Sequence, residues 1–142
     1  MKRAIAIAVA VWLAGCSTIA PGNNPLIVRC EQTQKVATAT FQAVVEVDNV
    51  NRAFWQTNAP GFHRFCEWLR APMIVGETNV FPRGVAMLWE LDQVKLAYKE
   101  KKKGESEVVK VLATVEQALA SAQNWLVNTK TTAYTSVTTE VK

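Results

Sequence analysis

The sequence predicts an all-α protein, a small helical bundle of three long helices and one short helix. Three observations carry that prediction. Val108, Leu112, Val115, Leu119, Ala122 and Leu126 follow one another in alternating steps of four and three, the seam of a helix that packs on its neighbours. Leu26, Cys30, Thr33, Ala37, Phe41, Val44 and Val47 keep three- and four-residue spacing over an earlier stretch. Between them, "NAPGFHRFCEWLRAPMIVGETNVFPR" breaks the pattern with Pro60-Gly61, Pro72, Gly76 and Pro82, so the chain must turn there.

The first helix opens at Pro25, with Asn24 as its N-cap. Proline suits the first helical position because an N–H there would have no intrahelical partner. The helix is expected to continue to about residue 55. Its segment "VATATFQAVVEV" is rich in β-branched residues, but strict alternation fails across 41–45 and the helical register continues on both sides. A short helix follows at 62–69, ended before Pro72 because the residue before a proline avoids the α region. The third helix spans 83–102, with Met87, Leu91, Val94 and Tyr98 on one face and Gly104 as its stop.

Lys99, Lys101, Lys102 and Lys103 crowd the C-terminal end of that helix, where its dipole favours cations. Glu105 and Glu107 open the last helix, where the dipole favours anions. "KKKGESE" therefore reads as the solvated turn of an antiparallel helical hairpin near the C-terminus. A basic knob for lipid headgroups or a partner is the lesser alternative. The last helix is expected to end at Asn128, closing a bundle domain of residues 25–128. Half of the residues in 129–142, "TKTTAYTSVTTEVK", are threonine or serine, and no apolar face is evident; a loose tail is expected there.

The N-terminus has a different character. Met1-Lys2-Arg3 precedes an apolar run from Ala4 to Ala14, which as a helix spans ~16 Å, too short for a hydrocarbon core of ~30 Å. A charged start, a short apolar middle and a small-residue exit describe a signal peptide. Leu13-Ala14-Gly15-Cys16 resembles the lipobox of bacterial lipoproteins. That resemblance implies cleavage between Gly15 and Cys16, removal of the signal peptide 1–15, and a diacylglycerol on the Cys16 thiol with a further acyl chain on its freed amine. Two or three chains anchor a protein durably where one does not. Because Ser17 and not aspartate follows the cysteine, the resemblance further implies the outer membrane, facing the periplasm. Residues 16–24, with "TIAPGNN", form a short tether. No cofactor other than this covalent lipid is implied.

Removing Lys2 and Arg3 takes two positive charges from the formal net charge of +4 and leaves +2. With no long basic stripe, nucleic acid is excluded as an expected partner. Once Cys16 is acylated, Cys30 and Cys66 form the only candidate disulfide, in a compartment that permits one. Geometry opposes it, because ~25 helical residues between them span ~38 Å and a disulfide needs Cα atoms within ~7 Å. The alternative is two small buried hydrophobes.

His63 is the single histidine. His63-x-x-Cys66 with Glu67 beside it offers too few ligands for zinc, which takes three or four. Glu90 and Asp92 stand on different sides of a helix and do not form an acid–base pair. No catalytic residues and no metal are assigned, and the chain is expected not to be an enzyme. The aromatic residues are unevenly placed: Phe54, Trp55, Phe62, Phe65, Trp68 and Phe81 gather at the helix-breaking segment with Arg64, Arg70 and Arg83. Tryptophan and arginine are enriched where proteins bind partners. Trp55, Phe62, Arg64, Phe65, Trp68 and Arg70 are therefore the candidate partner surface, although the same residues could cap an open end of the bundle.

These readings lead to a membrane-anchored envelope lipoprotein that acts as a non-enzymatic interaction or adaptor module for an envelope protein. Two alternatives stand beside it. One is a structural component that self-associates through the seam of the last helix. The other, by analogy with small size and lipobox alone, is a phage-encoded lipoprotein acting in lysis or superinfection exclusion.

Overall fold

The structure, a computed structural model, describes residues 24–139. The signal segment 1–15, the lipidation position Cys16 and the tether before Asn24 lie outside the described residues. Among the described residues the chain is mostly helical, with five helices and one two-stranded antiparallel sheet.

Helix α1 (Pro25–Val50) starts as its cap signals dictate: the Asn24 side chain accepts from the Leu26 N–H at 2.9 Å. It ends earlier than residue 55. Asn51 leaves the helical region (φ −151°, ψ 71°), and its side chain accepts from the Phe54 N–H at 3.2 Å. An asparagine that can cap a new helix competes with continuing the old one. Helix α2 (Arg52–Asn58) begins there, and after Ala59 the Pro60 ring opens helix α3 (Pro60–Arg70).

A hairpin absent from the sequence reading follows. Strand β1 (Pro72–Val75) pairs with β2 (Asn79–Pro82), Met73 opposite Phe81 and Ile74 opposite Val80. Gly76 turns the chain at φ 67°, a conformation that favours glycine. The two prolines, which cannot donate to a ladder, sit opposite each other at the open base.

Helix α4 (Arg83–Lys99) stops sooner than 102, and Gly104 is not what stops it. The Lys102 N–H reaches the Ala97 carbonyl at 2.8 Å and the Lys101 N–H the Tyr98 carbonyl at 3.0 Å. This is a Schellman stop with Lys101 in the left-handed region at φ 58°. Gly104 instead precedes the next helix, where the Glu107 carboxylate reaches back to its N–H at 3.2 Å.

Helix α5 (Glu105–Thr139) runs well past Asn128, so the expected loose tail is helical through Thr139. No glycine or proline interrupts 105–139, and threonine is a weak helix former and not a breaker. Thr129, buried, donates its hydroxyl to the Leu126 carbonyl at 3.1 Å.

Helices α1, α4 and α5 pack on one another, and α3 packs on α1 and α4. The expected faces are the buried ones. Cys30, Ala37, Phe41 and Val44 of α1 meet Met87, Leu91 and Val94 of α4 and Val108, Leu112, Val115 and Ala122 of α5. Four of the six α5 seam residues are thus buried inside their own chain, and Leu119 and Leu126 are partly buried beside them. Cys30 and Cys66 are free and fully buried. Cys66 stands against the Val44 carbonyl, which lies fourteen residues along α1 from Cys30, or ~21 Å. The candidate disulfide is therefore not formed, and the two cysteines act as small core side chains. Among the described residues no helix is long and apolar enough to cross a membrane.

Candidate functional site

The chemistry of the chain converges on α3, whose residues fall into three stripes at helical spacing. Phe62, Cys66 and Leu69 are buried in the core. His63, Glu67 and Arg70 turn toward the end of α1. Arg64 and Trp68 face outward, and Phe65 between them is partly buried against the core.

The second stripe clasps Asp48. This aspartate is fully buried and occupies the core register one step of four after Val44. One carboxylate oxygen accepts from His63 Nδ1 at 2.8 Å and the other from Arg70 Nη1 at 2.8 Å. A carboxylate can only accept here, so the proton on the imidazole is at Nδ1. Arg70 Nη1 also reaches Glu67 at 2.7 Å, and Nη2 donates to the Val45 carbonyl and the Asn49 side chain at 3.1 and 2.7 Å. Arg52 closes the group with a bond of 3.2 Å to Glu67 and a contact of 3.8 Å to Asp48. An isolated buried carboxylate is strongly unfavourable, and these partners satisfy it.

Ligand atoms of Asp48, His63 and Glu67 lie within 4.8 Å of one another, a spacing that could hold a cation. Arg70 Nη1 already bridges the two carboxylates, so a metal ion would have to displace a guanidinium bonded to four groups. The cluster is an ionic clasp between α1 and α3. His63 and Cys66 do not act together: the imidazole turns to Asp48, while the thiol turns to the Val44 carbonyl at 3.7 Å. Burial first, then the nearby Asp48 charge, pushes the Cys66 thiol up to about 12, which keeps it protonated and unreactive.

Of the candidate partner surface, the structure removes two members. Trp55 and Phe62 are buried, edge to face with ring centroids 5.1 Å apart, and Trp55 Nε1 donates to the Val47 carbonyl at 2.9 Å. An aromatic pair with a satisfied N–H is what closes this end of the bundle. Arg70 is committed to the clasp. Arg64 and Trp68 remain outward and Phe65 half-buried, and here the structure adds a residue from α4: the Arg83 guanidinium lies over the Trp68 ring at 5.1 Å. Phe65 stacks on Trp68 with centroids 5.8 Å apart. Trp68 retains 37% exposure. The pair borders a groove of about 320 Å³, whose far wall is Thr114, Gln117, Ala118 and Ser121 of α5.

Asp48 escaped the sequence reading because its partners lie fifteen and twenty-two residues away. The one local signal was an acid standing in an otherwise apolar register. No known family, characterised protein or solved structure matches the chain.

Proposed function

We propose that this chain is a lipid-anchored protein of the bacterial envelope, held through Cys16 at the outer membrane and facing the periplasm, that works as a non-enzymatic docking module. In this reading the three long helices are a rigid frame and α3 is the element presented to the partner. The lipobox supports the anchor. The Phe65–Trp68–Arg83 stack beside the α3–α5 groove is the observation that carries the docking role: a half-exposed tryptophan braced by an arginine, held on a helix that the Asp48 clasp fixes in place. Arg83, over the Trp68 ring, gives the rim a positive charge, so the complementary partner is a protein segment carrying apolar and acidic side chains.

The reading is tested by placing a photo-crosslinking amino acid at Gln117, in the groove, and at Lys110, further toward the lysine turn on the same helix. A discrete protein adduct at 117 only is expected. Trp68→Ala and Arg83→Ala should each weaken it, by about thirtyfold for a hot spot worth ~2 kcal/mol. Equal labelling at both positions, or adducts indifferent to both substitutions, would overturn it.

A further inference from the structure

We infer that the outer face of α4 and the adjoining face of the β-hairpin lie on the bilayer that carries the anchor, so that the domain rests on its side on the membrane. The inference depends on the lipid anchor proposed above and adds a second, non-covalent membrane contact to it.

Among the described residues, five of the eleven exposed large apolar side chains, Ile74, Val80, Val85, Trp89 and Leu96, fall on one face of the hairpin and along α4. Isolated exposed hydrophobes are ordinary, but these are arranged. In the hairpin, Ile74 stands opposite Val80 and Pro72 opposite Pro82, and the two-residue alternation of strands places all four on one face. Ile74 is 69% and Val80 60% exposed, whereas Val75, on the other face, is buried against the body. The outward face therefore carries apolar side chains only. Pro82 joins it to α4, because Pro82 and Val85 line the same apolar groove of about 340 Å³. Along α4, Val85, Trp89 and Leu96 recur at steps of four and seven and form one stripe, opposite the Leu91 and Val94 stripe that enters the core. A helix apolar on two opposite sides is one expected to be covered on both.

The position of the stripe selects a membrane as its cover. Its Leu96 end is level along α4 with the root of the tether, where the Asn24 side-chain amide donates to the hydroxyl of Tyr98, on the opposite side of the helix, at 3.1 Å. The eight residues from Ser17 to Asn24 extend at most ~29 Å, and residues 83–96 of α4 span ~20 Å. A lipid on Cys16 therefore stays within reach of the whole stripe. Trp89, at its middle, is the residue type that settles at headgroup depth, with its ring toward the acyl chains and its N–H toward water. Lys99, Lys102 and Lys103 sit at the tether end, each paired with a glutamate, so the apolar stripe and not charge makes the contact. Asp92, which helical spacing places within the stripe between Trp89 and Leu96, is paired with Lys95 at 2.8 Å.

The test uses mature protein extracted from membranes and reconstituted on vesicles of phosphatidylethanolamine and phosphatidylglycerol whose acyl chains carry bromine, a contact quencher of tryptophan fluorescence. Wild type, Trp89→Phe and Trp68→Phe are compared. The expected result is quenching of the wild type, loss of most of it in Trp89→Phe, and its retention in Trp68→Phe. Equal quenching in wild type and Trp89→Phe overturns the inference. So does a disulfide between two copies of a Trp89→Cys variant in cell envelopes, which would assign the stripe to a second copy of this chain. The anchor is read separately by intact mass. Acylated protein that floats with vesicles while Trp89 stays unquenched overturns this inference alone, whereas a mature chain without acyl mass overturns the anchor and this inference together.

Discussion

Two charged regions of this molecule invite comparison, the junction of α1 with α3 and the turn between α4 and α5. The turn is conspicuous in the sequence, with four lysines and three glutamates from Lys99 to Glu107. In the structure its ion pairs are exposed: Lys102 to Glu100 and Lys103 to Glu107 within the turn, and Lys99 to Glu31 across to α1. The junction looks ordinary in the sequence, yet it gathers Asp48, Arg52, His63, Glu67 and Arg70 around one fully buried carboxylate. Charges in water are worth little to stability, because solvent screens them and side-chain entropy opposes the pairing. A charge removed from water depends wholly on its partners. The density of charge along the chain therefore points away from the place where charge matters to the fold.

The comparison is broken most directly at Asp48. Asp48→Ala takes from His63 the acceptor of its Nδ1 and from Arg70 one of four acceptors, at a largely buried helix–helix contact. A loss of about 3–5 kcal/mol is expected, the range for breaking a buried pair from one side. Urea unfolding of the variant measures it. Removing Arg70 as well should not add a second full loss, because both substitutions break the same bond. A double-mutant cycle on Asp48 and Arg70 that came out additive would mean the clasp is not one unit.

Gly61→Ala probes the same end of the bundle without touching charge. A Cβ at Gly61 would meet the Trp125 ring at 2.8 Å, so that ring, partly buried beside Phe62, would have to shift. Overpacking of this kind costs about 1–3 kcal/mol, to be read from the same denaturation curves. If the loss instead matched that of an exposed glycine, the aromatic end would be looser than the clasp beside it.

The buried thiol beside Asp48 gives a test in pH. Cys66 titrates at about 12 in the folded chain, raised by burial first, against 9.0 for the free thiol. Above pH 9.0 the unfolded state loses a proton that the folded state keeps. The Cys66 contribution is therefore complete below that pH and declines as pH rises toward about 12. Iodoacetamide at mildly alkaline pH should leave Cys66 unmodified in native protein and label it on denaturation. Rapid native labelling would show a thiol far more open than this packing allows.

What could be read in advance follows the range of the forces involved. The apolar faces of α1, α4 and α5 were legible because burial repeats with the helix period, and Cys30, Leu91 and Leu112 are where that period put them. The clasp was not, since an ion pair across twenty-two residues leaves no local rhythm, only Asp48 standing in Val44's register. The hairpin was missed because its strands are four residues long and bounded by prolines, though Gly76 between two short apolar runs was a turn signal. The break of α1 was written in Asn51, a cap residue that a continuous apolar register concealed. At the candidate site, Phe65 and Trp68 were legible only as members of the aromatic cluster; which of its aromatics face water depends on how α3 is rotated, and the clasp sets that rotation.

The smallest effect is expected at the turn, and its sign is opposite. Lys101 holds a left-handed conformation at φ 58°, where a side chain is disfavoured by about 1 kcal/mol relative to glycine. Its positive charge is placed correctly for the α4 dipole, but at an exposed helix end that attraction is worth only a few tenths of a kcal/mol. Backbone strain therefore outweighs charge, and Lys101→Gly should stabilise the protein by about 0.5–1 kcal/mol, seen as a rise in Tm. Lys102→Ala, which removes an equal charge from a neighbouring position without changing a left-handed residue, is the matched control and should stay within about 0.5 kcal/mol of wild type. If Lys101→Gly were instead destabilising by as much as the clasp variants, the lysines of the turn would be holding the α4–α5 hairpin together, and the contrast between screened and buried charge would fail for this fold.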